Sequence, residues 1–178
     1  MVRYYRRRTY RKAYPRKKWA SNIGNSSITM SIPANSVYAA GAAFALNPAQ
    51  SPSSVSNSYL VKNVKLSIEP IVASLDSPRG LNQLIAAIMY VPQGYTVSPA
   101  ILNEHPEWIM AVKYLGDAMS VDVTNVQDRI KPFTVSSRLS RRLQTGDSVQ
   151  LVLFAQNSTS GEIPLAFRFL AQWWTRSD

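Results

Sequence analysis

The sequence predicts an all-β fold, a sandwich of two sheets that follows a strongly basic N-terminal arm. Val64, Leu66 and Ile68 alternate with polar residues, which is the period-2 pattern of a half-buried strand. Residues 165–174 alternate in the same way, with one bulky apolar face. A continuous apolar run at 148–156 follows the turn residues 145–147 and indicates a strand covered on both faces.

Eight candidate strands follow from these patterns. In order they are residues 28–38, 64–69, 85–91, 108–114, 119–124, 129–136, 148–156 and 165–174. The third also fits helical spacing, but the run is short and stops at Pro92, so we prefer a strand. Long connections rich in Pro, Ser and Asn, such as 51–58 and 92–106, favour a sandwich over a meander of tight hairpins.

The first 20 residues, MVRYYRRRTYRKAYPRKKWA, form the basic arm. Nine of the first 18 are Lys or Arg and none is acidic. Of the net charge of +10, the arm carries +9, and the rest of the chain, with 11 basic and 10 acidic residues, carries +1. Repulsion between like charges predicts that the arm alone is disordered. Residues 21–27 are small and polar, which predicts a linker, and 28–178 form the folded domain.

The arm predicts binding to single-stranded nucleic acid without sequence preference. The rest of the chain has no acidic surplus to pair with it, so its charges require an external polyanion. Arg binds phosphate through two donors, and aromatic rings stack on unpaired bases. The candidate residues are Arg3, Tyr4, Tyr5, Arg6, Arg7, Arg8, Tyr10, Arg11, Lys12, Tyr14, Arg16, Lys17, Lys18 and Trp19.

Two other roles for the arm stay open. The stretch RKAYPRKKW is typical of basic patches read by nuclear import receptors, and this role is compatible with nucleic-acid binding. An Arg-rich aromatic segment is also compatible with a membrane surface. The arm fits neither a secretory signal nor a mitochondrial presequence, and no apolar run is long enough to span a membrane.

The sequence predicts no enzyme, cofactor or metal. The chain has no Cys, so disulfides, thiolate nucleophiles and zinc-ribbon sites are excluded. Its single His, His105, lies in a predicted loop without a second His nearby. Asp117 and Asp122 either lie near a calcium ion or face water. Neither a P-loop nor a G-x-G-x-x-G motif occurs.

Five segments together support a family resemblance. They are RYYRRRTYRKAYPRKKW, LVKNVKLSIEP, IAAIMYVPQGY, EWIMAVKYLG and SSRLSRRLQTGDSVQLVLFAQN, in this order. With them the chain resembles the capsid proteins of circoviruses and related small circular single-stranded-DNA viruses. The resemblance covers the arm and most of residues 59–157.

The resemblance implies an eight-stranded jelly roll of two antiparallel four-stranded sheets. Its copies, usually sixty, would close into an icosahedral shell around a single-stranded DNA genome. The implied locations are the virion and, during assembly, the host nucleus. The chain is shorter than many relatives, particularly at residues 93–106, so the host attachment factor stays unknown.

Two sets of body residues follow from this interpretation. Arg138, Arg141 and Arg142 are candidates for DNA contacts on the inner surface, or else serve packing while Leu139 and Leu143 fix a turn. Subunit contacts are expected from loops and sheet rims, at Tyr95, Val97, Ile101, Trp108 and Tyr114. The alternative for Trp108 and Tyr114 is a place in the core.

Two competing functions remain. A non-assembling nucleic-acid-binding module, of ribosomal or nucleoid-associated type, would be expected to continue the basic surface over its body, whereas this body carries only +1. A jelly-roll carbohydrate binder or enzyme would use Trp173 and Trp174 as sugar platforms. The alternation of their strand instead places Trp173 in the core.

Overall fold

The computed structural model describes residues 18–47, 58–71, 81–116 and 131–177. The predicted strand 119–124, together with Asp117 and Asp122, lies outside these ranges. The described strands, in chain order, are β1 (Ala20–Ile32), β2 (Ser36–Leu46), β3 (Tyr59–Ile71), β4 (Leu81–Val91), β5 (Ile109–Gly116), β6 (Phe133–Ser137), β7 (Arg141–Leu143), β8 (Ser148–Asn157) and β9 (Ile163–Ser177). A short helix α1 (Ile101–Glu104) and a 3₁₀ turn (Pro106–Trp108) precede β5.

The strands form two antiparallel sheets in a jelly roll. One sheet has the order β1-β9-β3-β6, with β7 also paired to β3, and the other has the order β2-β8-β4-β5. Most connections between successive strands cross from one sheet to the other, as two interleaved Greek keys require. Because β6 and β7 pair with successive parts of β3, they are two halves of one strand position. The predicted fold is confirmed.

The main core lies between the sheets. The alternation of the sequence decides which side chains fill it: Val64, Leu66 and Ile68 are almost completely buried, as are Phe167 and Phe169 on β9. They pack against residues of the other sheet, among them Leu84, Ile88, Leu151 and Leu153. Trp173 also packs against this core, with its ring centroid 5.6 Å from that of Phe44, whereas Trp174 points outward.

A second apolar cluster covers the outer face of the four-stranded sheet. The segment 92–108 crosses this face, and its side chains pack on β4 and β8. The buried members are Ala87, Met89, Val91, Ile101, Val152 and Phe154. Strand β8 is therefore buried on both faces, as the continuous apolar run predicts.

The N-terminal half of the fold differs from the prediction. Residues 28–38 are not one strand, because the chain turns between β1 and β2 at Asn35, whose φ is +48°. The predicted linker 21–27 belongs to β1, where it pairs with β9 from Trp174 to Arg168. No side chain of residues 21–27 is fully buried, so the segment needs no apolar residues and has the composition of a linker. It is a strand because its backbone pairs with β9.

Other boundaries also changed. Residues 81–91 form a strand, as preferred over the helical alternative. The predicted strand 129–136 begins at Phe133, after Pro132, and the three-residue β7 was not predicted. A segment as short as β7 carries no periodicity of its own.

Two buried polar side chains fix the loops. The Asp147 carboxylate accepts hydrogen bonds from the backbone N–H of Gln93 (3.1 Å), the backbone N–H of Gln144 (2.8 Å) and the Tyr90 hydroxyl (2.7 Å). The Asn157 amide donates to the carbonyls of Ile32, Pro33 and Gly161 at 2.7 to 3.2 Å. Asp147 thus ties the covering segment to β8, and Asn157 ties the β1–β2 turn to the β8–β9 turn.

Gly41 lies directly under the covering segment. A Cβ at this position would meet Val97 Cγ2 at 2.7 Å and Gln150 Oε1 at 2.6 Å. We expect Gly41→Ala to lower the free energy of unfolding by about 1–3 kcal/mol, since Val97 must move off β2. Urea unfolding measures the change. Gly161→Ala is the matched control, because a Cβ there has no neighbour within 4 Å. Equal stabilities for both variants would contradict the close packing at Gly41.

Tyr90 makes the stability depend on alkaline pH. Burial, followed by the hydrogen bond to Asp147, raises the pKa of Tyr90 from 10.0 to about 12. Because the folded state holds the proton more tightly, this contribution is complete below pH 10 and is lost as the pH rises towards 12. We expect Tyr90→Phe to flatten the loss of stability across this range, as measured by urea unfolding. Exposed Tyr114 provides the control, Tyr114→Phe, which should behave like the wild type. Parallel curves for wild type and Tyr90→Phe would refute this role.

Candidate nucleic-acid interface

The outer face of the five-stranded sheet is basic. Lys65 points away from the core because β3 alternates there, and Lys62 does so as well because the register shifts between Lys62 and Lys65, where Asn63 has a φ of +50°. The register places outward residues of β9 and β7 beside them. We call this surface the basic face. Its charged strand residues are Lys62, Lys65, Arg142, Arg168 and Arg176, and Glu69 is the acidic strand residue described on it.

The end of the arm lies on the basic face. The Trp19 ring is half-buried, with Lys62 Nζ 3.8 Å and Arg176 Cζ 4.9 Å from its centroid. Such cation–π contacts are favourable by about 0.5–1 kcal/mol each at exposed sites. The Asn22 side chain also donates to Thr175 Oγ1 at 2.9 Å, which holds the start of β1 on β9. These contacts fix where the arm joins the sheet.

Apolar side chains lie among the basic ones. Trp174, which is 36% exposed, lies opposite Lys62 on β3 and Ser21 on β1. Leu170 and Ile23 are also exposed on this face. Rings and charges therefore share one surface, the combination found where proteins bind unpaired bases and phosphates together.

The far end of the basic face forms an open concavity of about 540 Å³. Glu69 and Arg168, which lie opposite each other in the register, line it together with Leu170. Hydroxyl and amide side chains complete the lining, at Asn25, Ser67 and Thr134. The face is thus grooved, with polar groups along the groove.

Most predicted arm residues, 3–17, lie outside the described residues. Lys18 is exposed, and Trp19 occupies the position given above. Their role in nucleic-acid binding stays a prediction.

The three predicted arginines of the body lie in different surroundings. Arg142 is exposed on the basic face, opposite Leu60, and Arg138 is exposed between β6 and β7. Arg141 is half-buried, and its guanidinium donates to the backbone carbonyl of Glu107. Arg141 therefore joins β7 to the 3₁₀ turn, as the packing alternative describes, while DNA contacts by Arg138 and Arg142 remain predictions.

The predicted subunit-contact residues also differ from one another, because some are buried and others are exposed. Ile101 is 2% exposed and belongs to the second cluster, with Val97 and Trp108 packed against it. Ile101 is thus unavailable for a subunit contact unless that cluster opens. Tyr95 (53%) and Tyr114 (60%) are exposed as expected. The prediction missed Val112, which is 57% exposed two residues before Tyr114 on the edge strand β5.

His105 lies in an aromatic group on the covering segment. Its ring stacks on Trp108, with centroids 3.7 Å apart, and Tyr95 meets Trp108 edge-on at 4.7 Å. His105 Nδ1 lies 3.1 Å from a Glu107 carboxylate oxygen. A hydrogen bond from its own backbone and then His105 lower the pKa of the Glu107 carboxyl. In the described parts of the chain, no three His, Asp or Glu side chains gather as a metal site.

The basic face was not predicted from the sequence. The body's sum of +1 concealed it, because a sum does not say where charges lie: Glu104 and Glu107, for example, lie on the segment that covers the other sheet. The available signal was local and incomplete: Lys65 and Arg168 occupy outward positions of strands that alternate, whereas Lys62 points outward only because the register shifts after it. Their meeting depends on the pairing of β3 with β9.

None of the described helices is long and apolar enough to cross a membrane. No family model matches the chain, and no curated protein matches it.

Several solved structures are distantly similar. One is a chain of Maize Chlorotic Mottle Virus, with 9% identity, a TM-score of 0.44, and coverage of 90% of this chain and 93% of that chain. Another is the 60-mer BFDV capsid protein, with 9% identity, a TM-score of 0.41, and coverage of 92% and 95%. A third is Turnip Yellow Mosaic Virus, with 12% identity, a TM-score of 0.40, and coverage of 91% and 94%. At this distance the assignment of the jelly roll rests on the strand order.

Proposed function

We propose that this chain is a structural capsid protein that self-assembles into a closed icosahedral shell and packages single-stranded DNA through its basic N-terminal arm. The observation that carries the proposal is the jelly roll whose five-stranded sheet has a basic outer face, without a cover among the described residues, that holds the last residues of the arm. A shell protein needs one surface for nucleic acid and others for its own copies, and the difference between the outer faces of the two sheets supports such a division.

The charge distribution supports this division. Of the described acidic residues, Glu104 and Glu107 lie on the segment that covers the four-stranded sheet and Asp147 is buried. Glu69 lies opposite Arg168 on the basic face, and Glu162 accepts a hydrogen bond from Ser31 on β1, but the basic strand residues of this face outnumber them. Phosphates would therefore be attracted to one side of the subunit. The competing nucleic-acid module also has a use for such a face, so the near-neutral sum of the body no longer separates the two hypotheses. The two hypotheses differ in whether the chain assembles into particles.

The partners follow from the proposal. The chain binds a single-stranded DNA genome and identical subunits, sixty in the shell implied by the family resemblance. Sixty arms with nine charges each give roughly 540 positive charges, a fraction of the charge of a genome of a few thousand nucleotides at about one per nucleotide. The basic face contributes toward the remainder.

The same proposal places the chain in the virion and, during assembly, in the host nucleus. The arm acts as the import signal and is recognised by host import receptors, while a host attachment factor is unidentified. It assigns no catalytic residue, cofactor or metal.

Subunit contacts involve exposed apolar groups at the edges of the four-stranded sheet. Val112 and Tyr114 lie on edge strand β5, and Val37 lies on edge strand β2. Exposed edges of this kind promote association with another chain. Tyr95 adds an exposed ring on the covering segment.

Assembly and packaging can be tested together. We expect the purified chain to form closed particles that retain single-stranded DNA at low salt, as measured by size-exclusion chromatography and electron microscopy. Replacing Arg3, Arg6, Arg7, Arg8, Arg11, Lys12, Arg16 and Lys17 by Gln should strongly reduce DNA retention, because the arm then lacks most of its phosphate contacts. A monomer that binds DNA would support the non-assembling module instead. A monomer that ignores DNA at low salt would refute both functions.

Substitutions at Tyr114 and Trp108 distinguish an effect on assembly from an effect on folding stability. We expect Tyr114→Glu to prevent particle formation while leaving the subunit's urea unfolding unchanged, since its side chain is exposed at an edge. Trp108→Ala should instead lower the free energy of unfolding by about 2 kcal/mol, because the ring packs on the second cluster. Particles of normal yield from Tyr114→Glu would contradict the β5 edge as a contact.

A further inference from the structure

We propose that the basic face carries its own binding site for single-stranded nucleic acid, formed by Lys62, Arg176 and Trp174 with Trp19 at its border. The inference rests on the proposed packaging function and adds to it a contact on the folded body, separate from the arm. Lys62 and Arg176 would hold phosphate, and Trp174 would stack on a base.

Both cations lack a described counter-charge. No described carboxylate lies within 4.0 Å of the Lys62 ammonium or the Arg176 guanidinium, and their described contacts are with the Trp19 ring. Arg176 is half-buried: its Nε is closed to solvent, with no hydrogen-bond partner among the described residues, whereas its two terminal guanidinium nitrogens are not buried. Those terminal nitrogens are the donors that a phosphate oxygen would reach.

The register brings these side chains to one small area. Lys62 lies opposite Trp174, and Arg176 lies opposite Leu60, the preceding outward position on β3. Paired strands are about 4.8 Å apart, so these side chains leave the sheet as near neighbours. The two charged groups reach the same ring, at 3.8 and 4.9 Å from its centroid. Neighbouring phosphates of one strand would therefore contact the two groups, one each.

Trp174 selects the class of ligand. Its exposed surface lies beside Lys62 and is available to a base that is not already paired and stacked. A duplex offers phosphates but no free base face, and an acidic peptide offers carboxylates but no base. Stacking beside unpaired cations therefore favours a single strand bound without sequence preference.

The phosphate contacts are tested by salt dependence in the full chain. The probe is fluorescent oligothymidylate, titrated at several salt concentrations. We expect Lys62→Gln/Arg176→Gln to reduce the magnitude of the log–log slope by about 1.4, which is 0.7 for each lost contact. Lys113→Gln removes a charge on edge strand β5 of the other sheet and should keep the wild-type slope. An equal reduction per removed charge in both variants would overturn the site.

The stacking contact is tested with an uncharged substitution. We expect Trp174→Ala to weaken oligothymidylate binding about five-fold without altering the slope, the lower end of the effect of removing one stacked base. Leu46→Ala, at an exposed apolar position of β2 in the other sheet, should leave affinity unchanged. An unchanged affinity for Trp174→Ala would overturn the role of the ring.

Crosslinking tests the site in the wild-type chain, so the result does not depend on how the variants fold. After photocrosslinking to bromodeoxyuridine-substituted oligothymidylate and trypsin digestion, the peptide 169–176 should carry nucleotide. Unlabelled oligouridylate, duplex DNA and polyglutamate serve as competitors. Competition by oligouridylate would extend the site to RNA, whereas stronger competition by duplex or polyglutamate, or an unlabelled peptide, would overturn it.

The outcomes distinguish this site from the packaging function. If the arm variant loses binding while Lys62→Gln/Arg176→Gln binds with the wild-type slope, packaging by the arm stands and the site is wrong. If the wild-type chain does not bind oligothymidylate at low salt, both proposals fail.

Discussion

The burial of β8 on both faces is the constraint from which the rest of the architecture follows. One face of β8 must pack against the five-stranded sheet, and the other needs a cover, which residues 92–108 supply. The removal of this much apolar surface from water is the dominant favourable contribution to folding. As a result, the four-stranded sheet has little outer face left for a polyanion, and the five-stranded sheet, which has no such cover among the described residues, is where charge can stay solvated.

Charge and topology therefore reinforce each other. Basic side chains on the five-stranded sheet remain hydrated while their neighbours on the opposite side of each strand fill the core, since alternation separates the two sets. The last residues of the arm meet this surface through Trp19, whose ring contacts Lys62 and Arg176. Under the proposed function, a polyanion bound by the arm would therefore also lie close to the basic face.

The buried polar residues show how a sandwich with long loops keeps a defined shape. Asp147 and Asn157 lie at opposite ends of β8, and each satisfies several backbone groups that would otherwise be buried without partners. Through them the central strand positions the covering segment at one end and two turns at the other. Exposed edge residues such as Tyr114 are then presented on a defined frame, as the proposed contact between identical copies would require.

The sequence by itself determined the arm, the inward set of β3 and β9, and the double burial of β8, because charge, period-2 alternation and a continuous apolar run are local properties. Tertiary structure alone decided the strand at 21–27, the turn at Asn35 and the short β7, since their composition does not distinguish strand from loop and pairing with β9 or β3 stabilises them. It also decided the basic face. Lys62 and Arg176 meet only because β3 pairs with β9 in one register, and register over such a separation is set by how the whole core packs.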